Sequence, residues 1–400
     1  MNVFVKYINV FILVGFGQFL AIWFVGFTTE NFKSDVVKSI ALFDSGIMLA
    51  MAITSLGIGQ YFPRYFIEDS SYEKSINEAR ILRFIVSIFL FLLGGGLFFI
   101  DQTEIATVFV MSPLLYFGVE YALYVRNKQV QAALCSFIRV SGIYVFIFTF
   151  TYFYTLQGEE VKYLYIFLYL ILSFIASYLS IKLLNLKLLP EFHMLKSKLL
   201  LDVVKLGGAF LIYSLFKSLL VPISSLSLND EQVIQVFIFM KLYFLIFSVR
   251  RVYVQVAHQW LADIKKSHII NSTFFLLSLS GCVLYLVLFD FYDFDIFKQI
   301  LGLDVESNYL ILILALTLSV FSVYPTRLLL INGDKEYKRI LTLVGAVGII
   351  SIYPVSVLGS SEYLSYLIIL FELSVGFFCF LAVNNIELEI KSVEMSRGCE

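Results

Sequence analysis

The chain has 400 residues, 60% of them hydrophobic and 15% charged, with a mean hydropathy of +0.88 and a formal net charge of −1. Soluble domains carry roughly 25% charged residues, and a water-soluble fold cannot hide this much apolar surface. The near-neutral balance also excludes the strongly basic field that would make nucleic acid a primary partner.

Apolar stretches close to the roughly twenty residues needed to cross ~30 Å of hydrocarbon recur throughout. The first, about 7 to 27, follows Lys6 in the manner of a signal peptide, but no small-x-small cleavage site comes after it, so it reads as a retained span. Further spans are expected at about 39 to 61, 81 to 100, 105 to 125, 133 to 155, 163 to 184, 204 to 224, 234 to 254, 271 to 289, 308 to 330, 340 to 358 and 363 to 384. The expectation is an all-α polytopic membrane protein with about twelve transmembrane helices. Pro113, Pro222, Pro325 and Pro354 mark broken or hinged helices, and Gly94-Gly95-Gly96 marks close packing or flexibility in the third span.

With a cytoplasmic N-terminus, most of the 29 basic residues fall in inside segments, while the opposite side holds Lys33, Lys38, Lys162 and Lys298. Cytoplasmic loops carry lysine and arginine in excess, so both termini are expected inside. Outer loops are short and leave no room for an extracytoplasmic domain. The longest inside connection, with Pro190 and His193, divides the chain into lobes at 1–190 and 204–400 with a linker at 191–203. Each half has a charged inside segment after its second span and a tight polar hairpin after its fourth, Val125 to Gln129 and Asn332 to Glu336. That is the layout of a parallel duplication, six helices per lobe.

Many tyrosines, among them Tyr61, Tyr65, Tyr124, Tyr152, Tyr154, Tyr163, Tyr165, Tyr253 and Tyr363, fall near predicted boundaries, where the amphipathic ring anchors at the interface. Ionisable residues at bilayer depth say more, because each costs at least ~2.5 kcal/mol near a helix centre without a partner, a wet cavity or a snorkelling route. Lys217 and Lys241 lie on consecutive antiparallel spans, rooted roughly 10 to 12 Å below the outer surface at ~1.5 Å per residue. Asp44 has similar depth in the second span, and Gln18 lies near the middle of the first. These four either line a central substrate cavity, with the lysines attracting an anion, or the lysines snorkel outward while Asp44 caps or pairs locally. Glu120 and Arg139 flank one hairpin at depths about a turn apart and are expected to form a structural ion pair. Glu372, near the middle of the last span, is a candidate ion-coupling carboxylate together with Asp44, or else a buried structural glutamate.

Cys135, Cys282, Cys379 and Cys399 form no CxxC, and His193, His258 and His268 form no ligand cluster, so no metal site is expected. No nucleophile-base-acid set, Walker loop or GxGxxG is present, hence no catalytic residues and no bound cofactor are expected.

The segment Ser55-Leu56-Gly57-Ile58-Gly59 followed by Pro63-Arg64, together with the Asn332-Gly333-Asp334-Lys335 hairpin, resembles motifs of the polysaccharide-exporter branch of the multidrug/oligosaccharidyl-lipid/polysaccharide (MOP) superfamily. Within it the chain is similar to Wzx-type O-antigen flippases, a likeness that in architecture extends over essentially its whole length. The resemblance implies a MATE-like, V-shaped transporter in the bacterial inner membrane. Its substrate would be an undecaprenyl-pyrophosphate-linked oligosaccharide, its coupling ion H⁺ or Na⁺, and its partners the lipid bilayer and other polysaccharide-assembly membrane proteins. It also implies that spans one, two, seven and eight face the cavity, which places Gln18, Asp44, Lys217 and Lys241 there. A multidrug or small-solute exporter of the same superfamily is the alternative. An O-antigen polymerase, which usually has a large arginine-bearing periplasmic loop, fits less well.

Overall fold

A computed structural model of the chain describes residues 3–55, 58, 72–100, 103–115, 118–126, 128–154, 158–191, 197–257, 260–261, 263–292, 305–331 and 333–397. The described residues are helical with short connections and contain no strand. Among the described residues eleven helices are long and apolar enough to cross a membrane, and the shorter apolar segment Thr103–Leu114 falls where the fourth span is expected. The twelve predicted spans therefore each coincide with an apolar helix. Most of the Ser55 to Arg64 segment, and Asn332 of the later hairpin, lie outside the described residues.

The chain divides into two compact units, Met1–Lys241 and Leu242–Glu400. The first contains α1 (Val3–Asn31), α2 (Ser34–Ser55), α3 (Tyr72–Leu97), α4 (Thr103–Leu115), α5 (Glu120–Val125), α6 (Gln129–Tyr154), α7 (Gly158–Leu183) and α8 (Ser197–Ser224). α9 (Asp230–Ala257) gives its first part to this unit and the rest to the second. The second unit continues with α10 (Ile264–Tyr292), α11 (Val305–Val320), α12 (Tyr324–Leu330), α13 (Asp334–Val357) and α14 (Ser361–Arg397).

Local sequence sets several of these boundaries. Asn229 and Gln232 form a reciprocal capping box at the start of α9: Gln232 N–H donates to Asn229 Oδ1 at 2.9 Å, and Asn229 N–H donates to Gln232 Oε1 at 3.3 Å. Asp263 caps α10 by accepting the Lys266 backbone N–H at 3.1 Å, and that hydrogen bond holds its carboxyl below the usual carboxylate range. Gly94 allows α3 and α4 to meet closely, since a methyl group there would lie 2.8 Å from Phe109 Cβ and from the Val110 nitrogen. Packing thus explains Gly94 of the glycine run, whereas Gly95 and Gly96 face open space.

α2 is the central helix of the first unit, packed by α3, α4, α7 and α8. Its Ile40, Phe43, Ile47 and Ala50 share a core with Phe24, Ile143, Ile147 and Val161. In the second unit the 37-residue α14 packs against α11, α12 and α13.

Two spans expected to be continuous are broken. The fourth is helical over Thr103–Leu115 and again, as α5, from Glu120, with Gly118 and Val119 outside any helix. The tenth stops at Val320 and resumes as α12 at Tyr324, with Pro325 in the first turn, where its missing N–H costs nothing. A helix break at membrane depth is tolerated only where other groups satisfy the freed backbone. At the first break the Arg83 guanidinium donates to the Gly118 carbonyl, and Val119 N–H donates to Ser180 Oγ at 3.2 Å. At the second, Asn271 Nδ2 donates to the Val320 carbonyl at 2.6 Å, while its Oδ1 accepts from Ser322 Oγ at 3.1 Å and from Val323 N–H at 3.4 Å. Arg250 Nε donates to the Ser322 carbonyl at 3.2 Å.

Asn271→Leu, which keeps the side-chain volume but strands these groups, is expected to lower stability by about 2 to 3 kcal/mol. Thermal unfolding of the purified protein in detergent measures the loss, and an unchanged midpoint would show that the break needs no side-chain bridge.

Candidate functional site

The most buried helix of the first unit carries a carboxylate, and that carboxylate needs partners. Asp44 on α2 has 8% of its surface exposed, as does Lys241 on α9. Lys241 Nζ donates to Asp44 Oδ2 at 2.8 Å and to the Tyr144 hydroxyl at 3.2 Å. The Tyr165 hydroxyl donates to Asp44 Oδ1 at 2.9 Å, and the Tyr144 hydroxyl lies 3.5 Å from the same oxygen. The ammonium also lies 5.1 Å from the centre of the Phe237 ring, within cation–π range. The result is a closed ionic cluster with one positive and one negative charge, two phenols and an apolar surround, contributed by α2, α6, α7 and α9.

Only part of the cluster is legible in the sequence. Tyr165, read as an interfacial anchor, is instead 1% exposed. Its helix begins at Gly158 rather than near 163, so Tyr165 lies two turns inside, where a hydroxyl must find a partner. Tyr144 was not singled out, although a tyrosine in mid-span was the available signal. By contrast Tyr152, Tyr154, Tyr163 and Tyr363 are exposed, as boundary anchors are.

Lys217 is not part of this cluster. Leu215 and Leu219 turn one face of α8 to the core around α2, and Lys217, midway between them, lies on the opposite face. There its ammonium donates to the Tyr213 hydroxyl at 2.7 Å and sits 3.9 Å above that ring. Gln18 on α1 is half-buried and has no hydrogen bond to the cluster among the described residues. Equal depth does not give equal facing.

Glu120 and Arg139 form a buried ion pair, and the Arg139 guanidinium also donates to Ser177 Oγ at 3.3 Å. Glu372, for which no partner was evident in the sequence, accepts from the Tyr243 hydroxyl at 2.6 Å and lies 3.6 Å from Arg250 Nη1. Arg250 falls near the inside end of the eighth expected span, about 234 to 254. α9 runs on to Ala257, so its guanidinium is inside the second unit, joining Glu372 to the break before α12.

A polar cavity of about 370 Å³ opens at the ends of α2, α4, α7, α8 and α9, lined by Asp35, Lys38, Glu104, Lys162 and Asp230 among others. Lys38 Nζ meets Asp230 Oδ1 across it at 2.7 Å, and Ser39 Oγ donates to Glu104 at 2.9 Å. Asp44 lies six residues further along α2 than Lys38, or roughly 9 Å at the helical rise. Among the described residues no group of histidine, cysteine, aspartate and glutamate has the arrangement of a metal site.

Helices of this length and apolarity, with buried ionic clusters at depth, define a polytopic all-α membrane protein. Its fold is that of MOP-superfamily transporters. The chain aligns with a solved MOP-superfamily transporter from Pyrococcus furiosus, described as having a binding pocket of reversed polarity, at a TM-score of 0.62 and 13% identity over 96% of this chain and 95% of that one. An outward-facing multidrug-resistance MATE transporter aligns at 0.59 and 14% identity over 96% of both chains. A MATE protein in complex with MaL6 aligns at 0.55 and 13% identity over 96% and 97%. No protein-family model and no curated protein matches the sequence. At these identities the likeness establishes the fold, and the substrate must be argued from the chain itself.

Proposed function

We propose that this protein is a Wzx-type flippase, a transporter that moves an undecaprenyl-pyrophosphate-linked O-antigen or polysaccharide repeat unit across the bacterial inner membrane by alternating access. Both termini lie in the cytoplasm on this reading. The lobes at 1–190 and 204–400 are its moving parts, a division by movement that differs from the packing units in where α8 and the first part of α9 are counted. The lipid substrate rests on the short motifs around Leu56 and Gly333. The transport mechanism rests on the MOP fold, and the observation that carries it is the buried Asp44–Lys241 pair.

A buried ion pair contributes little net stability, because desolvation offsets most of the Coulombic gain, so its presence on a central helix suits a switch better than a strut. In the proposed cycle a proton reaching Asp44 by way of the cavity at Lys38 and Asp230 cancels the carboxylate. Lys241 then holds an uncompensated charge in an apolar surround, and an anionic pyrophosphate is the group that can replace it. Release of the substrate restores the pair once the proton leaves. Na⁺ in place of H⁺ would act at the same carboxylate, and Glu372 is a second coupling candidate. Lys217 and Gln18, which stand apart from that cluster, line the central cavity on this reading, Lys217 as the cation that first attracts the substrate, while Glu120–Arg139 is structural.

Lys217→Gln tests the reading with little risk to the fold, since the side chain is only half-buried. In a strain lacking the gene, the variant is expected to restore surface polysaccharide about tenfold less well than wild type while its membrane level is unchanged. Lipid-linked repeat units should accumulate on the cytoplasmic leaflet. Full restoration would remove Lys217 from the mechanism. The likeness to MATE transporters equally suits a multidrug exporter, and export of cationic drugs by purified protein, with intact polysaccharide in the deletion strain, would favour that second reading.

A further inference from the structure

Consecutive helices α13 and α14 pack together yet leave between them a groove of about 520 Å³. Along α13 its wall is formed by Arg339, Leu343, Val347 and Ser351, one residue every fourth position and therefore one stripe. Leu370 and Phe378 form part of the facing wall on α14. The groove stays open because small residues stand where large ones would close it. Ser351 and Ser374 both line it, and each turns its hydroxyl back to its own helix, onto the Val347 and Leu370 carbonyls at 2.8 and 2.7 Å, presenting only carbon to the groove. Leu343, Val347, Leu370 and Phe378 are exposed, so the apolar trough faces outward from the unit.

One end of the trough is cationic. Arg339 lines it and Lys335 lies one turn earlier on the same stripe, both exposed and neither in an ion pair among the described residues. Lys338, Asp334 and Glu336 of the same turns and Glu389 on α14 lie off the stripe, whose only charged members are Lys335 and Arg339. From Arg339 to Ser351 the stripe runs twelve residues, roughly 18 Å at the helical rise. One leaflet accounts for about half of the ~30 Å hydrocarbon core, so the trough spans one leaflet and its cations sit at headgroup level.

We infer that the groove between α13 and α14 binds an anionic glycerophospholipid, with its phosphate at Arg339 and Lys335 and one acyl chain along Leu343, Val347 and Leu370. Basic pockets between spanning helices select anionic headgroups, and each near-surface cation strengthens such binding by about fivefold. The length of the trough suits an ordinary acyl chain and not the much longer tail of a polyprenyl carrier. This assignment stands on the groove alone and is independent of what the protein transports.

The full-length protein, purified in detergent and incubated with equal amounts of phosphatidylglycerol and phosphatidylcholine, is examined by native mass spectrometry for retained lipid. Wild type is expected to retain phosphatidylglycerol about twenty-fivefold over phosphatidylcholine, about fivefold for each of the two cations. The double variant Lys335→Gln/Arg339→Gln, altered only at exposed side chains, is expected to lose that preference while retaining phosphatidylcholine as before. Ser351→Phe, which fills the trough, is expected to lower retention of both lipids. Equal retention of the two lipids by wild type, an unchanged preference in the double variant, or a preference for undecaprenyl phosphate over phosphatidylglycerol would each overturn the assignment.

Discussion

Replacing Arg327 by methionine is expected to cost about 3 to 5 kcal/mol and to remove most folded protein from the membrane. Arg327 is 1% exposed and uses nearly every donor it has. Nε and Nη2 approach Glu387 Oε1 at 2.9 and 2.5 Å, while Nη1 donates to the carbonyls of Leu261 and Asp263 at 3.0 and 2.9 Å and to Ser267 Oγ. One side chain thus fixes α12, the C-terminal part of α14 and the turn entering α10. Methionine fills the volume but leaves the Glu387 carboxylate and two carbonyls without their donor. Arg327→Lys is expected to recover only part of the loss, because a single ammonium cannot reach in the fork geometry of the guanidinium. Arg327→Met/Glu387→Leu, which removes both charges, is expected to be more stable than Arg327→Met alone. Thermal unfolding in detergent and the yield of membrane-inserted protein report the order. A double variant no better than the single one would mean that the carbonyl contacts, not the ion pair, carry the cost.

The spans were legible because hydrocarbon thickness sets a length that any chain must meet, and an apolar run of that length has few other uses. The breaks at Gly118 and around Ser322 were not, although Pro113 and Pro325 marked the spans concerned. A proline signals a lost hydrogen bond but not whether another side chain replaces it. Arg83 and Asn271, which do so here, lie at the inside ends of their expected spans, where a charge or an amide is ordinary. Depth counting set Asp44, Lys217 and Lys241 at one level, and Asp44 and Lys241 meet. It carried no information on rotation about the helix axis, and Lys217 faces Tyr213 instead. Glu372 shows the same limit. Its partners Tyr243 and Arg250 are more than a hundred residues away in sequence, and no local pattern joins them.

The Asp44–Lys241 cluster should respond asymmetrically to removal of its two charges. With Lys241→Met, Asp44 keeps two hydroxyl partners, the Tyr165 donor at 2.9 Å and the Tyr144 hydroxyl at 3.5 Å. With Asp44→Leu, the Lys241 ammonium keeps one hydroxyl, that of Tyr144 at 3.2 Å, and the rings of Phe237 and Tyr144. Asp44→Leu is therefore expected to be the more destabilising, by about 3 to 5 kcal/mol, and Lys241→Met by clearly less. The double variant Asp44→Leu/Lys241→Met should return close to wild-type stability, since a buried pair replaced by apolar groups is often neutral or better. The coupling between the two sites follows from the cycle of single and double variants measured by thermal unfolding. The double variant also separates the two roles the pair can have. If the pair is a switch, this folded protein fails to restore surface polysaccharide in a strain lacking the gene. If it is only a packing element, restoration is complete, and the proton- and substrate-exchange cycle built on Asp44 and Lys241 is wrong even though the helices around them stand as described.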